Sequence, residues 1–188
     1  MNVSINILFD RALTKLSLIN LWIGEAMRNS AGLLLIVMTV IVLVQILFRY
    51  VFNDSLIWTE EVSKTLMVWC AFLIAPWAYR NGANVNITIF TDELPPNFRR
   101  SLSLLINLMI IWIIAVFFLE SFGMVNRGFL IKTASLPIQI GWFFIIVPLS
   151  LGAMLLVGIE LLLRDLLSLF CPRENFEIIT KIKNMESD

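Results

Sequence analysis

The chain contains no histidine, and only 15% of its 188 residues are charged. Without an imidazole there is no histidine-ligated haem, no His-containing zinc site and no Ser-His or Cys-His nucleophile, because each uses that ring as ligand or base. No other set of base, nucleophile and metal ligands assembles from the remaining residues, so an enzyme is not expected and no cofactor is called for. Two cysteines are present, Cys70 in an apolar run and Cys171 beside Pro172. They are far apart, show no CxxC or metal-like spacing, and read as inert thiols. Formal charge cancels to zero, which gives no global field to attract nucleic acid or acidic partners. Electrostatic information must lie in where the charges sit.

What is abundant is apolar surface: 59% of residues are hydrophobic and the mean hydropathy is +0.88, values that belong to an integral membrane protein. Twenty uncharged residues separate Arg28 from Arg49, which at about 1.5 Å per residue covers the ~30 Å hydrocarbon core. Fifteen, Thr65 to Tyr79, separate Lys64 from Arg80, a short span whose end charges snorkel or whose helix extends past them. Nineteen, Ser101 to Leu119, lie between Arg100 and Glu120 with no internal Pro or Gly. Lys132 and Glu160 bracket the fourth, with Pro137 or Gly141 at its entrance, Pro148 as a kink and Pro172 as a stop.

The expected fold is therefore all-α, four transmembrane helices plus interfacial amphipathic helices. Their spans are approximately 31–52, 62–80, 100–122 and 138–163, within a membrane domain of 31–170 followed by a charged tail over 171–188. Asp10, Arg11, Lys15, Glu25 and Arg28 precede an apolar run too long for a signal-peptide core, so the first span is expected to stay uncleaved. Ten of the Lys and Arg residues fall on the side of the termini and of the second loop, against Arg49, Lys64, Arg127 and Lys132 on the other. The positive-inside rule then puts both termini in the cytoplasm.

Two further segments have helical apolar spacing. Leu8, Ala12, Leu16, Ile19, Ile23 and Met27 share one face within residues 1–30, with Arg11, Thr14, Lys15, Asn20 and Glu25 largely elsewhere. That pattern predicts a helix lying along the inner leaflet. Trp58, Val62, Leu66 and Trp69 predict an amphipathic lead-in to the second span, with Glu60 and Lys64 paired at i,i+4. Adjacent Glu60 and Glu61 point to different helix faces and form no acid/base pair. No charge is expected within a span; Glu120, about 30 Å along its helix from Arg100, falls level with the outer headgroups.

The stretch FRYVFNDSLIWTEEVSK, Phe48 to Lys64, is on these terms an outward-facing turn between spans one and two, with Asn53, Asp54 and Ser55 making the turn. Together with QIL before it, TLMVW after it, APWAYRNGANVNI, the Leu136-Pro137 pair and PLSLGAMLL, it resembles one family. That family is the small, DctQ-like membrane subunit of tripartite ATP-independent periplasmic (TRAP) transporters, matched from about Gly32 to Leu163. The resemblance implies a bacterial inner-membrane complex. In it a periplasmic substrate-binding protein delivers an organic acid, such as sialic acid or a dicarboxylate, to a large elevator-type subunit driven by sodium.

The small subunit is then a scaffold among membrane lipids that binds no ion of its own. By position, Trp58, Glu60 and Glu61 match the family's Trp-x-Glu-Glu, and Arg49 its basic residue at the end of span one. Arg49, Trp58, Glu60, Glu61, Lys64, Trp69 and Arg80 are the candidates for register or partner contact. Asn84 stands where relatives often have histidine, so no imidazole role carries over. The polar end at Asp188 fits a polypeptide separate from the large subunit. The competing expectation is a self-sufficient homo-oligomeric transporter or channel that uses Glu120.

Overall fold

A computed structural model describes the backbone of residues 3–54, 56–91, 96–133 and 137–170, with side chains described outside 3–12, 57, 83–91, 96–101, 103 and 167–170. Ser55, Ser135, Leu136, Cys171 and the tail over 171–188 lie outside the described residues, as do the side chains of Leu8, Ala12 and Asn84. The described chain is all-helical: α1 Val3–Val51, α2 Ile57–Thr91, α3 Pro96–Gly128, α4 Gly141–Phe144 and α5 Ile146–Phe170. Four stretches are long and apolar enough to cross a membrane: Leu13–Val51, Trp58–Gly82, Leu104–Gly128 and Gly141–Leu166. In lipid every backbone N–H and C=O needs an internal partner, which is why the chain spends itself on helices.

The first expectation to change concerns the N-terminus. α1 runs unbroken for 49 residues, with no boundary between an interfacial helix and a span. No proline interrupts it, and Ser30, in the polar stretch after Arg28, returns its hydroxyl to the Ala26 carbonyl (2.8 Å). At about 1.5 Å per residue such a helix is ~73 Å long, more than twice the hydrocarbon thickness, so it tilts or projects beyond the bilayer. It ends on Asn53, whose φ of 52° is left-handed, while the amides of Phe52 and Asp54 both donate to the Phe48 carbonyl (3.2 Å). That is the usual way an Asn substitutes for Gly at a helix C-terminus.

α5 is the central element: it packs against α1, α2 and α3, α1 lies chiefly on α2, and α3 packs chiefly on α5 and α4. The apolar core is correspondingly small, formed by Met27, Ala31, Leu73, Ile146, Val147 and Ala153. The outer half of α1 and one face of α3 leave large apolar side chains outside the fold, among them Leu33, Ile36 and Leu47, and Leu105, Trp112 and Phe117. For a lipid-solvated protein this is the ordinary state of a surface.

Helices approach most closely where side chains are smallest. A Cβ on Gly158 would lie 2.8 Å from Ile111 Cγ1, so α3 sits directly on α5 at this point. Gly128 and Gly141 bring the end of α3 against the start of α4, where a Cβ on Gly141 would meet the Phe129 backbone nitrogen at 2.7 Å. The chain between them turns back on itself through Ile140 N–H to Ile131 O and Thr133 N–H to Ile138 O, both 3.0 Å.

Both prolines inside the expected spans are accommodated by neighbours. Pro76 lies within α2 and has no N–H to give the Phe72 carbonyl four residues earlier; the buried Ser150 hydroxyl of α5 donates to that carbonyl instead. Pro148 withholds its N–H from Phe144, and the helix is interrupted at Ile145, separating α4 from α5. The adjacent Phe143 carbonyl accepts a bond from Trp69 Nε1 at 2.9 Å.

Candidate functional site

The packing face of α1 is not its apolar face. The buried positions are Leu13, Ser17, Asn20, Gly24, Met27 and Ala31, alternating steps of four and three residues as in a packed helix seam. Ile19, on the apolar face expected to meet the leaflet, is 52% exposed, whereas Ser17 and Asn20, which lie off that face, are 0% and 2% exposed against other helices. What the apolar pattern did not show is which side of the helix the rest of the protein covers. Lipid tails are as apolar as leucine, so a membrane helix gains nothing by turning its leucines inward; small and polar residues make the contacts between helices.

That seam carries Ser17 and Asn20 into a charged cluster with α2 and α5. Glu160 of α5 is fully buried. Asn20 Nδ2 donates to its Oε2 at 2.7 Å and to the Leu156 carbonyl at 3.1 Å. Arg80 Nη2 lies 3.4 Å from Glu160 Oε1 and 3.4 Å from Ser17 Oγ. Arg164, one turn on from Glu160, pairs with the same oxygen and also reaches Ser17 Oγ at 3.4 Å. Both arginines have additional polar partners. A second polar contact on α5 ties in α3, where Asn107, 3% exposed, donates to Asp165 at 2.6 Å.

This cluster corrects the expectation that the helices bury no charge: Glu160 lies within the apolar stretch Gly141–Leu166 and is fully buried between helices. In the sequence Glu160 reads as the charge bracketing span four in a helix expected to run on to Phe170; α5 does reach Phe170, and the carboxylate faces α1 and α2. A signal was present in the sequence: Glu160 is embedded in Val-Gly-Ile before it and three leucines after it, an unusual place for an unpaired carboxylate. Arg164 at i,i+4 is a partner that the spacing could have shown, but Arg80 and Asn20 are 80 and 140 residues away in sequence, which no local pattern reveals.

At the opposite end lie the remaining candidates. Lys64 Nζ is 2.6 Å from Glu60, an exposed i,i+4 pair, as the spacing predicts. Glu61 makes its own contacts, and Arg49 is exposed with no ion pair among the described residues, so neither glutamate is held by it. Trp58 is 42% exposed. Trp69 and Arg80, by contrast, make bonds inside their own chain. Thr59, which the sequence reading passed over, is 1% exposed, and its hydroxyl donates to the Leu56 carbonyl at 2.6 Å, tying the first turn of α2 to the residue before it.

Grooves open on the surface among the described residues. One, about 480 Å³, is almost wholly apolar and lies between Val62, Leu66 and Trp69 of α2 and Ile138, Trp142 and Phe143. A second, about 380 Å³, runs between α3 and α5 with Glu120 and Arg127 among its lining residues; Glu120 itself is exposed. A third, about 210 Å³, is as polar as it is apolar and lies between α1 and α2 beside the charged cluster. Among the described residues no three Cys, Asp or Glu side chains converge as a metal ion would need.

Comparison with known proteins gives a consistent result. The sequence profile described as "Tripartite ATP-independent periplasmic transporters, DctQ component" matches residues 38–168. A putative TRAP transporter small permease protein of Haemophilus influenzae is 30% identical over 90 residues, 48% of this chain and 56% of that protein. The isethionate TRAP transporter permease protein DctMQ of Oleidesulfovibrio alaskensis is 24% identical over 132 residues, 66% of this chain but 20% of the relative. The sialic acid TRAP transporter small permease protein SiaQ of Vibrio cholerae is 25% identical over 126 residues, 67% of this chain and 69% of the relative. The chain thus spans about half the length of the first of these relatives and a fifth of the second.

Proposed function

This chain belongs to the DctQ component family of tripartite ATP-independent periplasmic transporters, and on that premise we propose that it is a non-catalytic scaffold subunit. In this reading it braces a larger permease subunit in the bacterial inner membrane, both termini facing the cytoplasm. The larger subunit carries the sodium coupling and the elevator movement and takes an organic acid from a periplasmic binding protein. The observation that carries the proposal is the state of the buried charges. Glu160 is shared by two arginines and an asparagine from three helices, an arrangement suited to holding helices together. A transported ion would instead need a site that opens alternately to the two sides.

The match to a fifth of the longer isethionate permease chain supports a small module working beside a large one. The broad exposed apolar faces of α1 and α3 supply surface for lipid and partner alike. Arg49 and Trp58, exposed at the turn between α1 and α2, are candidates from the sequence reading that are turned outward, with no ion pair of their own among the described residues, for contact with the large subunit or the binding protein. Glu60 and Lys64 act by fixing the register of the α2 lead-in. Exposed pairs of this kind contribute little energy, so packing of small and aromatic residues supplies the association.

Reconstitution of the large subunit into proteoliposomes with and without this chain tests the reading. Sodium-driven uptake of the cognate acid is expected only with both present. Full uptake by the large subunit alone would overturn the scaffold role.

A further inference from the structure

The polar groove between α1 and α2 is lined on α1 by Asn20, Leu21, Gly24, Glu25 and Arg28, and on α2 by Pro76, Trp77, Arg80 and Asn81. Each set follows a helix at alternating steps of one and three residues, so two helix faces form its walls. Gly24 opens it: the Trp77 ring lies 3.7 Å from where a Cβ would be. Its floor is polar and fixed, because Asn20 and Arg80 are 2% and 7% exposed and both are tied to Glu160.

Its depth is set by α2. Trp58 and Trp77 are nineteen residues apart, about 28 Å of helix, which places one tryptophan near each membrane surface, where this residue concentrates. The groove therefore opens at the level of lipid headgroups. Its rim carries one cation and one anion in contact, Arg28 Nη2 donating to Glu25 Oε2 at 2.6 Å. The Arg28 guanidinium lies over the Trp77 ring, 5.5 Å from its centroid. The guanidinium makes one bond, to Glu25, and its side chain is 41% exposed, which leaves N–H donors for a ligand.

We propose that this groove binds the headgroup of a phospholipid bearing a primary ammonium, a phosphoethanolamine. Its phosphate diester accepts from Arg28 and from the Asn81 amide, and its ammonium donates to Glu25. A groove of about 210 Å³ holds roughly seven waters at ~30 Å³ each, a volume suited to one phosphoethanolamine group. A purely anionic headgroup would use Arg28 and leave Glu25 facing the lipid's negative charge. A choline headgroup would bring a charge but no N–H for the carboxylate. Basic pockets between membrane helices are a recognised means of holding lipid headgroups; the paired carboxylate is what selects among them here. The proposal depends on the groove alone and not on the transport role.

The test uses the full chain, delipidated in detergent and titrated with dioleoyl phosphatidylethanolamine, phosphatidylcholine, phosphatidylglycerol or inorganic phosphate, bound lipid being counted by native mass spectrometry. One phosphatidylethanolamine is expected to bind about five- to tenfold more tightly than phosphatidylcholine. Glu25→Gln is expected to abolish that preference while lipid still binds, and Arg28→Gln to weaken both lipids about tenfold. Both positions are partly exposed on the groove rim, and helicity with gel-filtration profile verifies that the variants fold. Photo-crosslinking of a headgroup-labelled phosphatidylethanolamine to wild-type protein is an independent readout, expected to map to the groove-lining turns of α1 and α2. Equal binding of the two zwitterionic lipids, an unchanged preference in Glu25→Gln, or crosslinks only elsewhere would overturn the proposal. So would inorganic phosphate displacing the lipid at equal concentration.

Discussion

Replacing Glu160 by Gln keeps the shape of the side chain and removes the charge that Arg80 and Arg164 share. Breaking a buried ion pair by neutralising one partner costs about 3–5 kcal/mol, because the remaining charge stays desolvated. Two features reduce that figure here: Arg80 stands at 3.4 Å, and the Arg164 side chain is 22% exposed and regains water. The Gln amide still meets Asn20. A loss of about 2–4 kcal/mol follows, and with ~2–4 °C per kcal/mol for a chain of this size the midpoint falls by roughly 5–15 °C. Thermal scanning of the purified chain in detergent, followed by intrinsic fluorescence, measures it. A double-mutant cycle sharpens it: Arg80→Met combined with Glu160→Met removes both charges and is expected to be less destabilised than the sum of the single changes. A midpoint within about 1 °C of wild type for Glu160→Gln, well under the loss estimated from the buried pair, or strict additivity in the cycle, would refute the role given to this cluster.

Three smaller perturbations follow from the same packing. Ser150→Ala takes the hydroxyl from the Phe72 carbonyl that Pro76 leaves without an amide; a loss of about 1–3 kcal/mol is expected, and Ser150→Ala with Pro76→Ala is expected to recover part of it on the same thermal scan. Gly158→Leu drives a side chain into Ile111 and should cost about 1–3 kcal/mol, read as a lowered midpoint and faster proteolysis in detergent. Glu120→Gln is expected to leave uptake by the reconstituted transporter unchanged across pH, since the carboxylate is exposed and outside the charged cluster; a shifted pH profile would restore it as a working group.

Much of the architecture was legible because membrane physics acts on runs of residues. The uncharged stretches after Arg28, Lys64, Arg100 and Lys132 marked four helices, and Glu60 with Lys64 marked its pair, because each depends on near neighbours along one helix. The turn after α1 was legible for the same reason, Asn53 being among the few residues that adopt a left-handed φ without strain. What escaped was rotation and partnership. The amphipathic pattern of α1 showed a face for the leaflet but not the face that meets other helices, which is the stripe of Ser17, Asn20 and Gly24. Glu160 looked like an end because it was charged, and Arg80 looked like a loop residue because it followed a short span.

By itself, then, the sequence determined that this is a four-span membrane protein of the DctQ family without the residues for histidine-dependent chemistry. Hydropathy, helix length and local motifs are properties of contiguous residues. Only the tertiary structure decided that Ser17, Asn20, Arg80, Glu160 and Arg164 meet, and that Ser150 stands where Pro76 needs a donor. A buried charge is tolerable only beside its counterions, and three helices from distant parts of the chain must pack before those counterions are in place.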